Sequence, residues 1–240
     1  MKAPVFLSAE WRKLILANYL IEPELLQPLV PSGTELDFFE EKTYVSLVGF
    51  MFMNTRLKGF SIPYHKKFEE VNLRFYVKRK EGSDWKRGVV FVREIVPKAA
   101  VTFIANALYN EKYVTMPMKH EWVNENRQLS VTYKWKAKTW NSLSVTADSR
   151  LQTIAIGSAA EFITEHYWGY NRISPIKTME YGVQHPRWHQ YGVRSYHIDA
   201  NFAQLYGSRF DILNHQQPES VMLAEGSPIT VLNGRSRLQL

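Results

Sequence analysis

"EVNLRFYVK", residues 70–78, and "GVVFVREI", residues 88–95, decide the fold. The first stretch alternates between apolar and polar side chains, which is the period of a β-strand, where neighbouring residues point to opposite faces. Its apolar face would hold Val71, Leu73, Phe75 and Val77, and its polar face Glu70, Asn72, Arg74, Tyr76 and Lys78. Gly82, Ser83 and Asp84 lie between the two stretches, so together they predict an antiparallel hairpin.

The strand pattern recurs along most of the chain. Further strands are predicted at residues 43–53, 113–122, 129–138, 178–183, 191–198 and 227–232. Helices are predicted at residues 22–30, 98–110 and 158–170, the last opening with a capping box of Ser158 and Glu161. Many antiparallel strands with a few short helices indicate an α+β, mainly antiparallel β fold around a large curved sheet or barrel. No linker or repeat divides the chain, which favours a single domain over residues 1–240.

Composition excludes several classes of protein. The 240 residues contain no cysteine, which rules out disulfides, thiolate metal sites and a cysteine nucleophile. No apolar run reaches the roughly 18 residues that span a bilayer, and no signal peptide is evident, so we predict a cytoplasmic protein without membrane contact. The net charge of +7 is concentrated in the middle of the chain. The basic hairpin tip at residues 78–87 is typical of a solvated turn, and nucleic-acid binding there is the less favoured alternative.

The polar face of residues 70–78 is the first candidate for a site. If it lines the interior of a barrel, Arg74 could hold a carboxylate through two hydrogen bonds and Glu70 could move a proton. If it faces water, the same residues form an ordinary solvated surface. The residues leave both readings open, and Glu70 and Arg74 are our candidate ligand-binding residues.

"YVTMPMKHEW", residues 113–122, is the second candidate. On a strand, Lys119 and Glu121 share one face, whereas His120 and Trp122 share the other, and Pro117 indicates a strand edge or bulge. Lys119 and Glu70 are the candidate catalytic residues, since a lysine that loses its proton can form a Schiff base. A solvated lysine beside a hydrogen-bonded core histidine is the alternative.

Other polar and aromatic residues are candidates for the wall of a pocket. "HYWGY", residues 166–170, combines apolar ring bodies with polar tips at the end of the third predicted helix. The further candidate ligand-binding residues are His120, Tyr167, Trp168 and Glu180.

No metal or cofactor is predicted. His185 and His189 would lie roughly 13 Å apart on a strand, and Pro186 excludes the helix that would bring them together. A turn at residues 185–188 closing a hairpin fits the sequence better. Phosphate-binding glycine loops and the GxSxG pattern are also missing from the sequence.

Several stretches resemble one known family. "ALYNEKYVTMPM" (107–118), "EFITEHYWGYN" (161–171), "EYGVQHPRW" (180–188) and "ESVMLAEGS" (219–227) look like the YqjF-like family of uncharacterised bacterial proteins, a domain of unknown function. That family is similar in fold to acetoacetate decarboxylase, which implies a curved antiparallel sheet closing into a cone over an internal cavity.

The resemblance also implies where a reactive lysine would stand. Acetoacetate decarboxylase forms a Schiff base on the first of two adjacent lysines. In the comparable stretch here, Met118 takes the place of that lysine and Lys119 takes the place of its neighbour. A one-residue offset turns a side chain to the opposite face of a strand, so Lys119 lies either outside the cavity or at a bulge that changes the register.

The sequence therefore favours a protein that binds a small, anionic organic molecule in an internal cavity. A Schiff-base lyase that uses Lys119 is the alternative, and nucleic-acid binding through residues 78–87 is less favoured. Whether the protein is an enzyme stays open, and a homo-oligomer is compatible with the sequence.

Overall fold

The structure is a computed structural model that describes residues 4–61 and 63–238. Its fifteen strands are β1 (Val5–Leu20), β2 (Glu35–Leu36), β3 (Tyr44–Leu57), β4 (Phe60–Ser61), β5 (Phe68–Glu81), β6 (Asp84–Val96), β7 (Tyr113–Thr115), β8 (Met118–Glu125), β9 (Gln128–Lys136), β10 (Trp140–Thr153), β11 (Trp168–Ser174), β12 (Lys177–Gln184), β13 (His189–Asp199), β14 (Ser220–Leu232) and β15 (Arg235–Leu238). The α-helices are α1 (Pro23–Leu26), α2 (Ala99–Tyr109), α3 (Ala159–Thr164) and α4 (Phe202–Tyr206), with 3₁₀-helices at Gln27–Leu29 and Ser208–Asn214.

Seven strands form a closed ring. Backbone pairing links β12, β11, β6, β5, β3, β1 and β14 in that order, and β14 pairs again with β12 at Val183 and Val231. All these pairings are antiparallel except the short parallel contact between β11 and β6. The predicted mainly antiparallel, curved sheet with a few short helices is confirmed.

A second layer of the same sheet covers part of the outside of the ring. Strands β13, β10, β9 and β8 continue from β14, and β8 lies last on the path. An apolar core joins ring residues such as Leu47 and Leu73 to Val131 and Leu143 of this layer. A second core lies on the other face of the ring strands and includes Phe50.

Strand β5 is consequently buried on both faces. Every residue from Glu70 to Val77 is buried, with the apolar set in the outer core and the polar set inside the ring. Burying one Val, Leu or Phe side chain fully contributes roughly 1.5–3 kcal/mol, so the alternation fixes the register of β5 firmly. The predicted hairpin to β6 is present, with Glu81 paired to Asp84 across a turn at residues 82–83.

The longest strand is one that the sequence did not reveal. Strand β1 is buried on both faces from Leu14 to Tyr19, so its sequence lacks the alternation that indicates a half-buried strand. Lys13 has a φ of 53°, and the register of β1 with β3 shifts between Arg12 and Ile15. These features are typical of a bulge, which breaks any period further.

Two predicted connections differ from the structure. The third helix ends at Thr164, and Trp168 begins strand β11, because aromatic residues around Gly169 favour a strand over a helix. Residues 185–188 do not close a hairpin, since β12 pairs with β11, β14 and β15 and not with β13.

Helix α2 is present where predicted, but its apolar stripe is not buried as a whole. Phe103 is 75% exposed and Leu108 is 55% exposed, whereas Val101 and Ile104 are partly buried. Within the described residues, no helix has the length and apolar character needed to cross a membrane.

Replacing Gly226 by alanine should destabilise the ring by more than its backbone conformation explains. Gly226 has a φ of +80°, and an added Cβ would lie 2.0 Å from the carbonyl oxygen of Trp11 in the paired strand. Gly33 has a φ of +77° but nothing within 4 Å of such a Cβ, so Gly33→Ala is the matched control. Measured by urea unfolding, the free energy of unfolding should fall by about 1 kcal/mol in the control. In Gly226→Ala it should fall by about 2 kcal/mol or more beyond that. Equal losses of unfolding free energy in the two variants would show that a Cβ at residue 226 does not collide with Trp11.

Candidate functional site

The ring encloses a cavity of about 220 Å³. All seven ring strands contribute to its wall, which is mainly aromatic and aliphatic. Trp11 and Phe50 meet edge to face at 5.4 Å between ring centroids, and Phe52 stacks on Phe68 at 4.8 Å. The wall runs from fully buried side chains to Ala100 of α2, which is exposed.

Strand β5 places a polar row on this apolar wall. Glu70, Asn72 and Arg74 line the cavity because they alternate with apolar residues that belong to the outer core. Asn72 Nδ2 donates to Glu70 Oε1 at 2.8 Å. Arg74 Nη2 donates to the carbonyl oxygen of Ile163 at 3.4 Å, and no ion pair of the described residues includes Arg74.

Two more carboxyl groups join this row from neighbouring segments. Glu94 of β6 and Glu111, between α2 and β7, line the same cavity. Tyr113 Oη donates to Glu70 Oε2 at 2.8 Å, and Tyr181 Oη donates to Glu111 Oε1 at 2.6 Å. Glu94 lies close enough to the other two carboxyls for their charges to raise its pKa. Three carboxyl groups and two phenols therefore form one polar cluster on the wall, in which Tyr113 is hydrogen-bonded to Glu70 and Tyr181 to Glu111.

Burial keeps these carboxyl groups protonated to unusually high pH. Burial raises the pKa of Glu70 to about 7, although the hydrogen bonds from Asn72 and Tyr113 act in the opposite direction. Burial and the neighbouring carboxyls raise the pKa of Glu94 well above its usual value of 4.5. The pKa of Glu111 is also raised by burial. A buried carboxyl avoids the cost of an unpaired charge by taking up a proton.

A buried histidine completes the polar part of the wall. His166 Nε2 lies 3.1 Å from Asp37 Oδ2, which also accepts a hydrogen bond from Arg87 Nε at 2.6 Å. Burial lowers the pKa of His166 to about 4, so the imidazole is neutral at pH 7. With its Nε2 proton directed at Asp37, the ring would offer Nδ1 as an acceptor.

Polar atoms without a hydrogen-bond partner in the protein concentrate at this cavity. Among the residues that the structure describes, nine buried side-chain nitrogen or oxygen atoms lack such a partner. Seven of the nine belong to residues on the cavity wall: Trp11 Nε1, Thr55 Oγ1, Asn72 Oδ1, Arg74 Nε, Glu94 Oε2, Glu111 Oε2 and His166 Nδ1. Buried polar groups are otherwise hydrogen-bonded in most proteins, so such a concentration calls for an explanation.

The structure brings three of the six candidate ligand-binding residues to the cavity, namely Glu70, Arg74 and Trp168. Tyr167 borders a shallower depression beside it, where its hydroxyl donates to Glu165 Oε2 at 2.5 Å. The remaining two, His120 and Glu180, lie outside.

His120 and Glu180 have partners elsewhere. His120 Nδ1 lies 2.6 Å from Glu69 Oε1, on the face of β5 opposite the cavity. Glu180 is buried and forms ion pairs with Arg79 at 2.7 Å and Lys86 at 3.5 Å.

Lys119, the other candidate catalytic residue, is exposed. Its Nζ lies 5.2 Å from the ring centroid of Trp140, and it stands opposite Lys134 in the pair of β8 with β9. The described residues that line the cavity include no lysine. As Pro117 indicated, β8 is an edge strand.

The sequence missed several polar residues of the cavity, for physical reasons. Glu94 reaches the wall because the register of β5 with β6 shifts between Leu73 and Arg74, which breaks the alternation of β6. Glu111 lies in a connection that has no period. His166 is in the stretch that was predicted to be helical.

The histidines that suggested a metal site are separated. His185 stacks on Trp188 at 4.4 Å between centroids and lines the cavity, whereas His189 and His197 are exposed. Within residues 4–61 and 63–238, no three metal-ligating side chains come together.

The basic hairpin tip is largely neutralised by acidic neighbours. Lys78 pairs with Glu35 at 3.4 Å, and its Nζ lies 4.7 Å from the ring centroid of Trp85. Lys86 pairs with Glu81 as well as with Glu180.

Comparison with known proteins places the chain in a family. A family model described as an uncharacterized conserved protein, DUF2071, matches residues 8–228. The chain belongs to the DUF2071 family. The uncharacterized protein YqjF of Bacillus subtilis (strain 168) is 30% identical over 112 residues, which are 46% of this chain and 45% of YqjF. The match thus spans less than half the length of that relative.

Solved structures show that this DUF2071 protein has the acetoacetate decarboxylase fold. Acetoacetate decarboxylase from Legionella pneumophila superposes with a TM-score of 0.64 at 13% identity, over 98% of this chain and 88% of that one. An acetoacetate decarboxylase-like enzyme from Sphingomonas wittichii RW1 gives 0.66 at 11% identity, over 100% and 95%. The enduracididine biosynthesis enzyme MppR gives 0.69 at 11% identity, over 99% and 89%.

The stability of the protein should fall as pH rises through 7, in part because of Glu70. Its pKa is about 7 when folded and 4.5 ordinarily, so the folded state binds more protons between these values. This contribution to the free energy of unfolding is complete below pH 4.5 and is lost as pH rises through 7, by on the order of 3 kcal/mol. In urea unfolding from pH 5 to pH 8, Glu70→Gln should show a clearly flatter pH dependence than the wild type. Glu94 and Glu111 should leave a residual slope of the same sign.

Glu125→Gln is the control, because Glu125 is exposed on β8, does not line the cavity, and belongs to no ion pair of the described residues. It should keep the slope of the wild type. If Glu70→Gln and the wild type depend on pH equally, Glu70 does not titrate near neutral pH in the folded protein.

Proposed function

We propose that this protein binds a small organic acid with an apolar body inside the ring cavity. The observation that carries the proposal is the concentration of seven unpartnered polar atoms on an otherwise apolar wall. Ligand sites are typically apolar clefts with a few convergent polar groups that fix the orientation of the ligand. The aromatic rings around Phe52 and Trp11 would contact the apolar body, and the polar row of β5 would contact the head group.

Arg74 supports an anionic head group. Its guanidinium is more than nine-tenths buried, its Nε lacks a partner in the protein, and no described carboxylate lies within ion-pair distance. A buried charge without a counter-ion is costly, and a ligand carboxylate would offset that cost through charge-assisted hydrogen bonds. Because burial raises the pKa of Glu70 to about 7, a protonated Glu70 would donate a hydrogen bond to an anion at lower pH rather than repel it.

Related structures are in keeping with this head group. MppR, which shares the fold, is described in complex with pyruvate, a keto acid. The present proposal extends only the chemical class of that ligand to this chain. Trp168, which lines the cavity, belongs to the proposed wall, and Glu70 and Arg74 are the proposed anchors.

The two alternative functions receive less support. A Schiff base on Lys119 would form on the exposed face of an edge strand, away from the cavity. Nucleic-acid binding through residues 78–87 would compete with the ion pairs that Glu35, Glu81 and Glu180 already make there. A cytoplasmic location and self-association stay predictions from the sequence.

Phenylpyruvate, which joins an aromatic ring to a keto acid, should bind to the wild type and raise its melting temperature at pH 6. Arg74→Gln should raise the dissociation constant for phenylpyruvate, measured by calorimetry, tenfold or more, because a hydrogen bond to a charged group is worth about 1.5–3 kcal/mol. Arg93→Gln is the control, because Arg93 lies on the neighbouring strand and donates to the carbonyl oxygen of Leu205, outside the cavity. Its binding should match that of the wild type.

Affinity for phenylpyruvate should also fall between pH 6 and pH 8, as Glu70 loses its proton and begins to repel the anion. Equal binding by Arg74→Gln and the wild type would contradict the anchor assignment. Absence of binding to the wild type at millimolar concentration would contradict the proposed function for keto acids and leave water as the partner of the unpaired atoms.

Borohydride added with phenylpyruvate should leave Lys119 unmodified. A Schiff base forms readily only on a lysine whose amine is unprotonated, through desolvation or crowding by charge, and Lys119 is exposed to water. Peptide mass spectrometry should find no adduct on Lys119 above the level of other exposed lysines such as Lys134. A stoichiometric adduct located at Lys119 would make the Schiff-base lyase the leading function.

A further inference from the structure

The surroundings of Glu70 match those of a general base rather than those of a structural carboxyl. Both of its oxygens are held, Oε1 by Asn72 Nδ2 and Oε2 by Tyr113 Oη, each at 2.8 Å. The side chain is 2% exposed and lines the cavity. A base fixed by two donors inside an apolar site is oriented in advance for proton transfer.

Independent observations mark this cluster as a place where a ligand binds. Arg74 Nε and Asn72 Oδ1 have no partner in the protein, and their residues are 8% and 1% exposed. Both lie on the strand face that carries Glu70. The Cα atoms of Glu70 and Arg74 are roughly 13 Å apart on a regular strand, which leaves room for a keto acid between two long side chains.

We infer that the cavity catalyses proton exchange at the carbon next to the carbonyl of a bound keto acid, with Glu70 as the catalytic base and Arg74 holding the carboxylate and the carbonyl oxygen. The inference rests on the proposed function, because it concerns the same ligand in the same cavity. It adds an activity that binding alone does not require.

The step needs no second reactant. The Glu70 carboxylate takes a proton from the carbon next to the carbonyl, and the electron pair of that C–H bond forms the carbon–carbon double bond of an enolate. The carbonyl π pair moves to oxygen, where the Arg74 guanidinium stabilises the negative charge. Return of a proton from Glu70 to the carbon restores the ketone, and its return to oxygen gives the enol.

The neighbouring titratable groups provide a route by which the proton on Glu70 can be exchanged. The groups that face Glu70 are Asn72 and Arg74 from β5, Tyr113 from β7, Glu94 from β6, and Glu111 from the loop before β7. Tyr113 Oη is hydrogen-bonded to Glu70, and Glu94 and Glu111 line the same cavity beside them. A proton could pass along these groups while the apolar wall limits access of water to the enolate.

The titration of Glu70 suits this task. Burial raises its pKa to about 7, so near neutral pH a large fraction of the molecules carry an ionised base that is stronger than an ordinary glutamate. Burial and the neighbouring carboxyls also raise the pKa of Glu94, which disfavours a second negative charge beside Glu70.

The test is hydrogen–deuterium exchange at the methylene group of phenylpyruvate, followed by proton NMR in D₂O and corrected for exchange without protein. The wild type should accelerate exchange with saturation, and kcat should rise with pH through a value at or above 7. Glu70→Gln should lower kcat by a hundredfold or more, while phenylpyruvate still binds in calorimetry. Glu69→Gln, prepared in the same way, should exchange as fast as the wild type.

Glu70→Asp is a second variant, in case the amide disturbs folding. Aspartate keeps the carboxylate, but its side chain is shorter by one methylene group. Exchange should therefore slow, while kcat should still rise with pH. Binding of phenylpyruvate without accelerated exchange, or equal exchange by Glu70→Gln and the wild type, would overturn the inference and leave the proposed function standing. Absence of binding would overturn both.

Discussion

The burial of β5 on both faces is the constraint on which the rest of the structure depends. One face of β5 packs into the core beneath the second layer, and the apolar residues around Leu73 fill that face. The other face looks into the ring, where water cannot fully solvate Glu70 or Arg74. A polar row in that position must find partners, change its protonation or hold a ligand; this chain shows the first two, and its unpartnered polar atoms are the basis for proposing the third.

The protonation of the cluster follows from that constraint. Three carboxyls share a small apolar space with a single buried guanidinium, so they cannot all be ionised at neutral pH. Burial raises the pKa of Glu94 and Glu111, and Tyr113 and Tyr181 donate hydrogen bonds to Glu70 and Glu111. Such an arrangement is expensive for stability alone, because apolar residues of similar size would fill the same space more favourably. This cost is the reason to look for a function there.

A strand and the residues that share its faces can be predicted from the sequence only where the two faces differ in polarity. In β5 the two faces differ in polarity, so the strand, its register and the shared face of Glu70 and Arg74 were all predictable, although not which side faced the cavity. In β1 both faces are apolar, and the strand was missed. Glu94 was hidden by a register shift, since alternation fails wherever one residue is bulged. The separation of Lys119 from the cavity follows from strand order, which no local pattern contains.

The DUF2071 ring and the acetoacetate decarboxylase ring share a fold, but the side chains on the wall decide the chemistry. A Schiff-base mechanism needs an amine inside the cavity, and the described wall here carries carboxyls, phenols, three imidazoles and one guanidinium instead. These groups move protons and bind anions without forming a covalent bond to the ligand. A keto acid is the ligand class that both arrangements would recognise, because the carboxylate needs a cation and the carbonyl needs a donor in either case. Under the proposed function, the ring would keep a keto acid as its ligand class with a carboxylate of β5 as the reactive group in place of an amine.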